Sequence, residues 1–187
     1  MLFVTMDIVY GRKKTLLKFR VLELIARVPY QAWEQVAYTA ITHTYAWPDF
    51  ARRIFEFVKE SREQQDNEQW HLLILEEMTG KVKGGFLKYR ILPQIIAFFY
   101  YHACWLLYVI KPAWSYALNA DFEDHAEHEY MEFVRENPCL EKEPFHSIFE
   151  ADYGQFPNRA ELFRQIALDE RLHKEESLER MKKARFS

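Results

Sequence analysis

Two Glu-x-x-His segments constrain the fold of this chain more than any other feature of its sequence. They are Glu68–His71 and Glu170–His173, and each lies deep inside a long stretch with helical hydrophobic periodicity. Residues i and i+3 project from one face of an α-helix, so each segment can present a carboxylate and an imidazole to one metal ion. Helical bundles that bind two iron or manganese ions take this motif from two helices and a single Glu from each of two others. The pattern therefore predicts an all-α, ferritin-like four-helix bundle.

The composition agrees with a helical domain and excludes several other classes of protein. Five Gly and seven Pro among 187 residues leave little room for strands and tight turns, and we expect a single domain, 1–187. The net charge of −3 comes from mixed signs, which gives no basic surface for nucleic acid. Cys104 and Cys139 lie in unlike contexts, so no disulfide framework is expected. The N-terminal basic cluster follows the apolar stretch, the reverse of a signal peptide, so we expect no cleavable targeting segment.

Proline, glycine and capping residues set the expected helix boundaries. The first expected helix is 14–45, with a kink or restart at Pro29. The second is a long helix that begins at Pro48 or Asp49, reaches Met78 and stops at Gly80. The last two are 112–136 and about 159–184, and the latter is capped by Asn158 with Glu161 three residues on. A connector at 81–85 and a loop at 137–158 separate them.

An apolar, aromatic segment occupies 86–111. Its central part, 91–110, has the length of a membrane span, and aromatic residues make up 17% of the chain. One interpretation is a core packed with rings. The other is a helix at a membrane interface, where Trp, Tyr, Lys and Arg settle. Pro93, Gln94 and His102 interrupt the segment, and we expect it to lie in one leaflet.

Glu-x-x-His alone is a weak signal. With 21 Glu and 7 His in the chain, chance gives about 0.8 such pairs. A third pair, Glu143–His146, lies in the Pro-rich loop, and we interpret it as accidental.

Single glutamates lie on the two remaining central helices. Glu23 lies in an otherwise apolar run, where an ionised carboxylate is costly unless it meets a cation or metal. Arg27, four residues on, offers a salt bridge as the competing explanation. Glu123 begins a polar run that ends at Tyr130, about 20° away around the helix. Glu127 is about 40° away by the same geometry, so it stays open as an alternative ligand.

Four segments in order resemble the motifs of the alternative oxidase family, and the first of them is most similar to the plastid terminal oxidase version. They are 22–30, 67–77, 122–130 and 169–173, and the resemblance extends over nearly the whole chain from about Asp7. It implies a non-haem centre of two iron ions held by Glu23, Glu68, His71, Glu123, Glu170 and His173. It also implies that Asn67 and Asp169 orient the histidines and that Tyr130 is a redox-active catalytic tyrosine.

The resemblance also implies where the quinol binds, and here the chain departs from the family pattern. The expected quinol contacts are Lys18, Leu22, Ala126 and Glu129. Lys18 stands where the family usually has Arg, which keeps the charge and loses the two-pronged donor. Glu129 stands where the family usually has Thr. The loop before Glu170 is short and lacks the insertion of plant plastid enzymes.

The function implied by the resemblance is that of a plastoquinol or ubiquinol oxidase that reduces O2 to water without pumping protons. The implied partners are quinol, O2, a membrane lipid interface and a second copy of the chain in a homodimer. A lipid-soluble quinol reaches a buried centre from within the leaflet, so we expect a peripheral, monotopic membrane protein. The alternative is a membrane-associated di-iron hydroxylase of a quinone precursor. A radical-generating subunit or an iron store needs no aromatic helix, and a non-enzymatic helical bundle needs no metal.

Overall fold

The computed structural model of the protein describes residues 2–80, 84–183 and 185–186, with side chains from Met6 onward. Within these ranges the chain is helical and contains no strand, which confirms the predicted all-α fold. The helices are α1 Leu2–Tyr10, α2 Leu16–Ala26, α3 Val28–Thr44, α4 Pro48–Thr79, α5 Leu92–Ile110, α6 Pro112–Glu136 and α7 Arg159–Arg180. A π-helical turn, Leu87–Ile91, precedes α5, and a 3-10 turn, Pro138–Lys142, follows α6.

Most helix boundaries lie where proline and capping residues predict them. The first predicted segment restarts at Pro29, with α2 ending at Ala26 and α3 beginning at Val28. Pro48 begins α4, and Pro112 begins α6. The Asn158 side chain accepts a hydrogen bond of 2.9 Å from the backbone N–H of Glu161, which caps α7. Prolines can occupy these first positions because their missing N–H would be unpaired there in any residue.

Three parts of the boundary prediction differ from the structure, and a fourth part is not described by it. Helix α1 was not predicted, and α7 ends at Arg180, four residues before the expected end. Residues 81–83 of the predicted connector lie outside the described residues. The third difference is the π-helical turn before Pro93. Because Pro93 has no N–H to donate to the carbonyl of Tyr89, that carbonyl accepts a hydrogen bond of 3.4 Å from the guanidinium of Arg20 instead.

Four helices, α2, α4, α6 and α7, surround the centre of the molecule. Helix α6 packs along α7 and α2 packs along α4, while α3 and α5 pack outside them. One apolar cluster surrounds the centre, and Phe19, Leu22, Phe122 and Phe163 belong to it. A second cluster lies between α3, α4 and α5 and contains Trp33. These layers bury the middle of the four helices, where the motif residues lie.

Helix α5 and the turn before it form the one segment, within the described residues, that is long and apolar enough to cross a membrane. The segment Leu87–Ile110 has 24 residues and a mean hydropathy of 1.3. It packs against α2, α3 and α6 on one side. On the other side Phe98 is 59% exposed and Phe99 is 66% exposed. Length and composition therefore allow a span, and the exposed rings also fit a helix that lies at an interface.

Candidate metal centre

The six predicted metal ligands meet at the centre of the bundle. Helices α4 and α7 each supply a Glu and a His, while α2 and α6 each supply one Glu. The exposed fraction of each residue is 4% or less, and the set is Glu23, Glu68, His71, Glu123, Glu170 and His173. The i, i+3 spacing places each Glu-x-x-His pair on the inner face of its helix.

The six residues form two overlapping groups. Glu23 and His71 form one group with Glu68 and Glu170, and Glu123 and His173 form the other with the same two glutamates. In each group, one potential ligand atom from every residue lies within 4.8 Å of all the others. Glu68 and Glu170 therefore lie between two adjacent positions, each of which also has its own Glu and His.

Both imidazoles direct Nδ1 toward the carboxylates. His71 Nδ1 lies 3.2 Å from Glu23 Oε2, 3.3 Å from Glu170 Oε1 and 3.7 Å from Glu68 Oε2. His173 Nδ1 lies 2.7 Å from Glu68 Oε1. The opposite nitrogen of His71, Nε2, lies 3.2 Å from Asp169 Oδ2. A carboxylate behind the imidazole fixes the ring orientation, as partners of metal-bound histidines do.

Several polar atoms of the cluster are buried without a hydrogen bond from any described residue. They include both carboxylate oxygens of Glu68 and of Glu170, Glu123 Oε2 and His173 Nδ1. A buried carboxylate without partners is costly in free energy unless it pairs with a cation or binds a metal. The donor set, four carboxylates and two imidazoles, is the one that di-iron helical bundles use. The residues therefore fit a pair of iron ions.

The pKa values of the glutamates reflect the burial of four carboxylates close together. Burial raises the pKa of Glu23 to about 8 and that of Glu170 to about 8. Burial, reinforced by Glu170 and Glu68, raises the pKa of Glu123 well above its usual value. Burial also acts to raise the pKa of Glu68, but the nearby imidazoles of His173, at 2.7 Å, and His71, at 3.7 Å, outweigh it and lower that pKa. Without metal the cluster retains protons that divalent cations would displace.

Asp169 is the centre of the polar contacts behind His71. Its Oδ2 accepts hydrogen bonds from Tyr153 Oη at 2.6 Å and from Asn67 Nδ2 at 3.4 Å. Its Oδ1 accepts one from Gln165 Nε2 at 2.8 Å. Asp169 thus contacts a histidine, as expected, and Asn67 contacts Asp169. Tyr153 was missed because it lies in the loop before α7, where the sequence has no helical period to place it.

Two buried tyrosines donate hydrogen bonds to the single glutamates. The hydroxyl of Tyr130 donates to Glu23 Oε1, and its ring stacks on Phe19 with centroids 4.3 Å apart. The hydroxyl of Tyr30 donates to Glu123 Oε1 at 2.8 Å. Tyr130 was selected from the sequence, whereas Tyr30 was not, although it ends the first motif segment.

The alternatives that the sequence left open have different positions in the structure. Glu127 faces α7, with its carboxylate 2.8 Å from Arg171 Nε and 2.7 Å from Lys174 Nζ. Glu123, not Glu127, therefore lies in the cluster. Arg27, the competing partner of Glu23, donates to Gln69 Oε1. The third Glu-x-x-His pair is a surface feature, since the side chain of His146 is 86% exposed.

The residues expected to contact quinol lie together on α2 and α6. Lys18 is 2% exposed, and its Nζ lies 2.8 Å from Asp7 Oδ1 and 3.5 Å from Glu129 Oε2. Leu22 and Ala126 are buried, with exposed fractions of 1% and 2%. The positive charge of Lys18 is thus neutralised by two carboxylates, those of Asp7 on α1 and Glu129 on α6.

A polar cleft lies between α4 and α7 and reaches the cluster from another direction. It has a volume of about 530 Å³ and extends to Asp169 and His173. Its walls carry the acidic residues Glu60, Glu63, Glu176 and Glu179. The cleft therefore extends from the surface between α4 and α7 to the His173 side of the cluster.

Comparison with known proteins identifies relatives of the chain. The family described as alternative oxidase matches residues 1–151. That match includes Glu23, Glu68, His71 and Glu123, while Glu170 and His173 lie beyond it. The chain is 35% identical to "Ubiquinol oxidase 4, chloroplastic/chromoplastic" of Arabidopsis thaliana over 130 residues, which are 70% of this chain and 34% of that protein. The chain thus aligns with about a third of the length of this relative. No solved structure matches the chain.

Proposed function

The chain belongs to the alternative oxidase family, and on that premise we propose that it is a membrane-bound quinol oxidase that reduces O2 to water at a di-iron centre. The observation that carries the proposal is the pair of overlapping ligand groups that share Glu68 and Glu170. This arrangement matches the ligand requirement of a two-iron centre, with one Glu-x-x-His pair for each ion. The name of the plastid relative supports quinol as the electron donor.

Each ligand has a distinct role in this proposal. Glu68 and Glu170 belong to both ligand groups, so their carboxylates would be available to both ions. Glu23 and His71 would hold one ion, and Glu123 and His173 would hold the other. When bound there, the irons supply one-electron steps between the two-electron donor quinol and the four-electron acceptor O2. Asp169 holds the ring of His71 in place through Nε2.

Tyr130 is proposed as the catalytic tyrosine. Its hydroxyl donates to Glu23 Oε1, so the carboxylate of Glu23 is the group that would take the phenol proton. The ring is fully buried and packs against both Phe19 and Phe163, which keeps water away from the phenol. The hydroxyl therefore has a defined proton acceptor and a dry site.

The quinol is proposed to bind beside Lys18, Leu22, Ala126 and Glu129. A quinol loses two protons when it is oxidised, and the carboxylate of Glu129 can accept one at Oε2. Lys18 Nζ, 2.8 Å from Asp7 Oδ1, lies 3.5 Å from the same oxygen of Glu129. The quinol would enter from the side of α5, which packs on both α2 and α6.

The exposed rings of α5 support a monotopic membrane protein that lies in one leaflet. Phe98 and Phe99 would enter the lipid, and the flanking Lys88, Arg90 and Lys111 would meet the headgroups. A homodimer stays part of the proposal on the strength of the family alone. We propose that quinol oxidation by this protein is not coupled to proton pumping.

Iron loading and O2 uptake test the proposed function. Purified protein should bind about two irons per chain and should consume O2 with a short-chain quinol in an iron-dependent manner. A hydroxylated quinone as the product, with oxygen from O2 incorporated in it, would favour the di-iron hydroxylase alternative. Absence of bound iron would refute the proposal.

A further inference from the structure

Two tyrosines stand in equivalent positions relative to the two single glutamates. Tyr30 follows Glu23 by seven residues, and Tyr130 follows Glu123 by the same interval. Seven residues are nearly two helical turns, so each Tyr projects close to the direction of the Glu before it. The backbone keeps helical angles at Arg27, φ −63° and ψ −17°, so this relation holds across the junction of α2 and α3.

Each of these tyrosines donates its hydroxyl hydrogen bond to the single glutamate on the other side of the bundle. Tyr30 donates to Glu123 Oε1 at 2.8 Å, and Tyr130 donates to Glu23 Oε1. Each single glutamate thus uses one oxygen for a tyrosine from another helix. The second oxygen faces the cluster: Glu23 Oε2 lies 3.2 Å from His71 Nδ1, and Glu123 Oε2 has no hydrogen bond from any described residue.

Tyr30 is held by further contacts. Asn119 Nδ2 donates to the Tyr30 hydroxyl at 3.1 Å and to Ser177 Oγ at 3.1 Å. The exposed fractions of Tyr30, Asn119 and Ser177 are between 0% and 2%. A phenol oxygen that accepts one hydrogen bond and donates another has a fixed hydroxyl direction. A series of hydrogen bonds from Ser177 through Asn119 and Tyr30 therefore holds one carboxylate oxygen of Glu123 in place. All four side chains are buried.

We propose that Tyr30 is a positioning residue that holds Glu123 so that Oε2 binds the metal ion on the His173 side. Tyr30 is the counterpart of Tyr130 on the Glu23 side. The inference rests on the proposed di-iron centre and deepens it, because it assigns each position its own tyrosine. Partners that orient a metal ligand typically contribute about 10–100-fold to metal affinity.

Anaerobic titration of the metal-free protein with Fe²⁺ against a competing chelator tests this role. The wild type should bind two ions. Tyr30→Phe should bind one ion with near-wild-type affinity and the other about 10–100-fold more weakly. Mössbauer spectra of ⁵⁷Fe-loaded protein should then show one of the two iron signals altered and the other preserved.

Two matched variants define the specificity of that result. Tyr130→Phe should weaken the other ion, so the two variants should alter different iron signals. Tyr116→Phe removes a buried hydroxyl that pairs with Tyr108 at 3.2 Å, away from the carboxylates, and both iron affinities should stay unchanged. An equal loss in Tyr116→Phe and Tyr30→Phe would overturn the specific role of Tyr30.

Asn119→Ala tests the inference if Tyr30→Phe does not fold. This variant keeps the Tyr30–Glu123 hydrogen bond and removes the donor that fixes it, so the same ion should be weakened by a smaller factor. If Tyr30→Phe or Asn119→Ala folds, lowers the melting temperature of the metal-free protein and leaves both iron affinities at the wild-type value, the hydroxyl is structural and the inference is wrong. A wild type that binds no iron would refute the proposed function itself.

Discussion

Replacing Tyr130 with Phe separates a chemical role of its hydroxyl from a structural one. The side chain is fully buried, and its ring packs against both Phe19, with centroids 4.3 Å apart, and Phe163, with centroids 6.0 Å apart. Tyr130→Phe keeps these ring contacts and removes the hydrogen bond to Glu23. Because the change leaves a buried carboxylate oxygen without that donor, the free energy of unfolding should fall by about 1–3 kcal/mol. For a domain of this size that is a melting temperature lower by roughly 2–12 °C.

The chemical role predicts a larger effect on turnover. If the hydroxyl gives up a proton to Glu23 during catalysis, its loss should reduce quinol-dependent O2 uptake per bound iron by roughly 10²–10⁴-fold. The assay measures O2 uptake, iron content and melting temperature on the same preparation, with Tyr116→Phe as the control for loss of a buried hydroxyl. Turnover within a few-fold of wild type, with the melting temperature lowered as calculated, would show that the tyrosine is structural.

Three further predictions concern the metal ligands, pH and the membrane. Glu68→Ala should abolish iron binding, measured by iron analysis, while Glu143→Ala in the surface motif should leave it unchanged; full iron occupancy in Glu68→Ala would remove this residue from the ligands. The metal-free protein should lose stability as pH rises from about 5 to about 8, because burial raises the folded-state pKa of Glu23 and of Glu170 to about 8 while the unfolded carboxyls ionise near their usual value. Iron-loaded protein should lack this loss in melting curves recorded over the same pH range, and a flat profile for the metal-free protein would contradict the assigned protonation. Phe98→Ser should weaken binding to lipid vesicles in flotation assays, and labelling that places the two ends of Leu87–Ile110 on opposite sides of a bilayer would overturn the monotopic arrangement.

Local sequence rules account for the helices and for most of the cluster. The i, i+3 spacing predicted that α4 and α7 each present a Glu and a His to the centre of the bundle. The apolar surroundings of Glu23 predicted that α2 contributes a single Glu. The boundaries at Pro29, Pro48 and Pro112 followed from the missing N–H of proline. The family resemblance selected the ligands that periodicity alone left open, and it also named Glu170 and His173, which the bundle geometry places with the other four.

The side-chain contacts around the ligand cluster, which join residues far apart in the sequence, could not be predicted. Glu123 and Glu127 differ by little in helical direction, and their roles separate because Arg171 and Lys174 on α7 pair with Glu127. The Tyr30–Glu123 hydrogen bond joins residues 93 positions apart. Its signal in the sequence, the repeated interval of seven residues, has meaning once the packing of the helices is known. The hydrogen bond from Arg20 to the carbonyl of Tyr89 likewise joins residues far apart in sequence.

The ratio of quinol oxidised to O2 consumed by the iron-loaded protein tests the central claim most directly. Reduction of O2 to water takes four electrons, so two molecules of quinol should be oxidised for each O2, without release of hydrogen peroxide. The rate should depend on iron and be lost in Glu68→Ala. A ratio of one quinol per O2 with peroxide or a hydroxylated quinone as product, or no iron-dependent uptake with any quinol, would contradict the account.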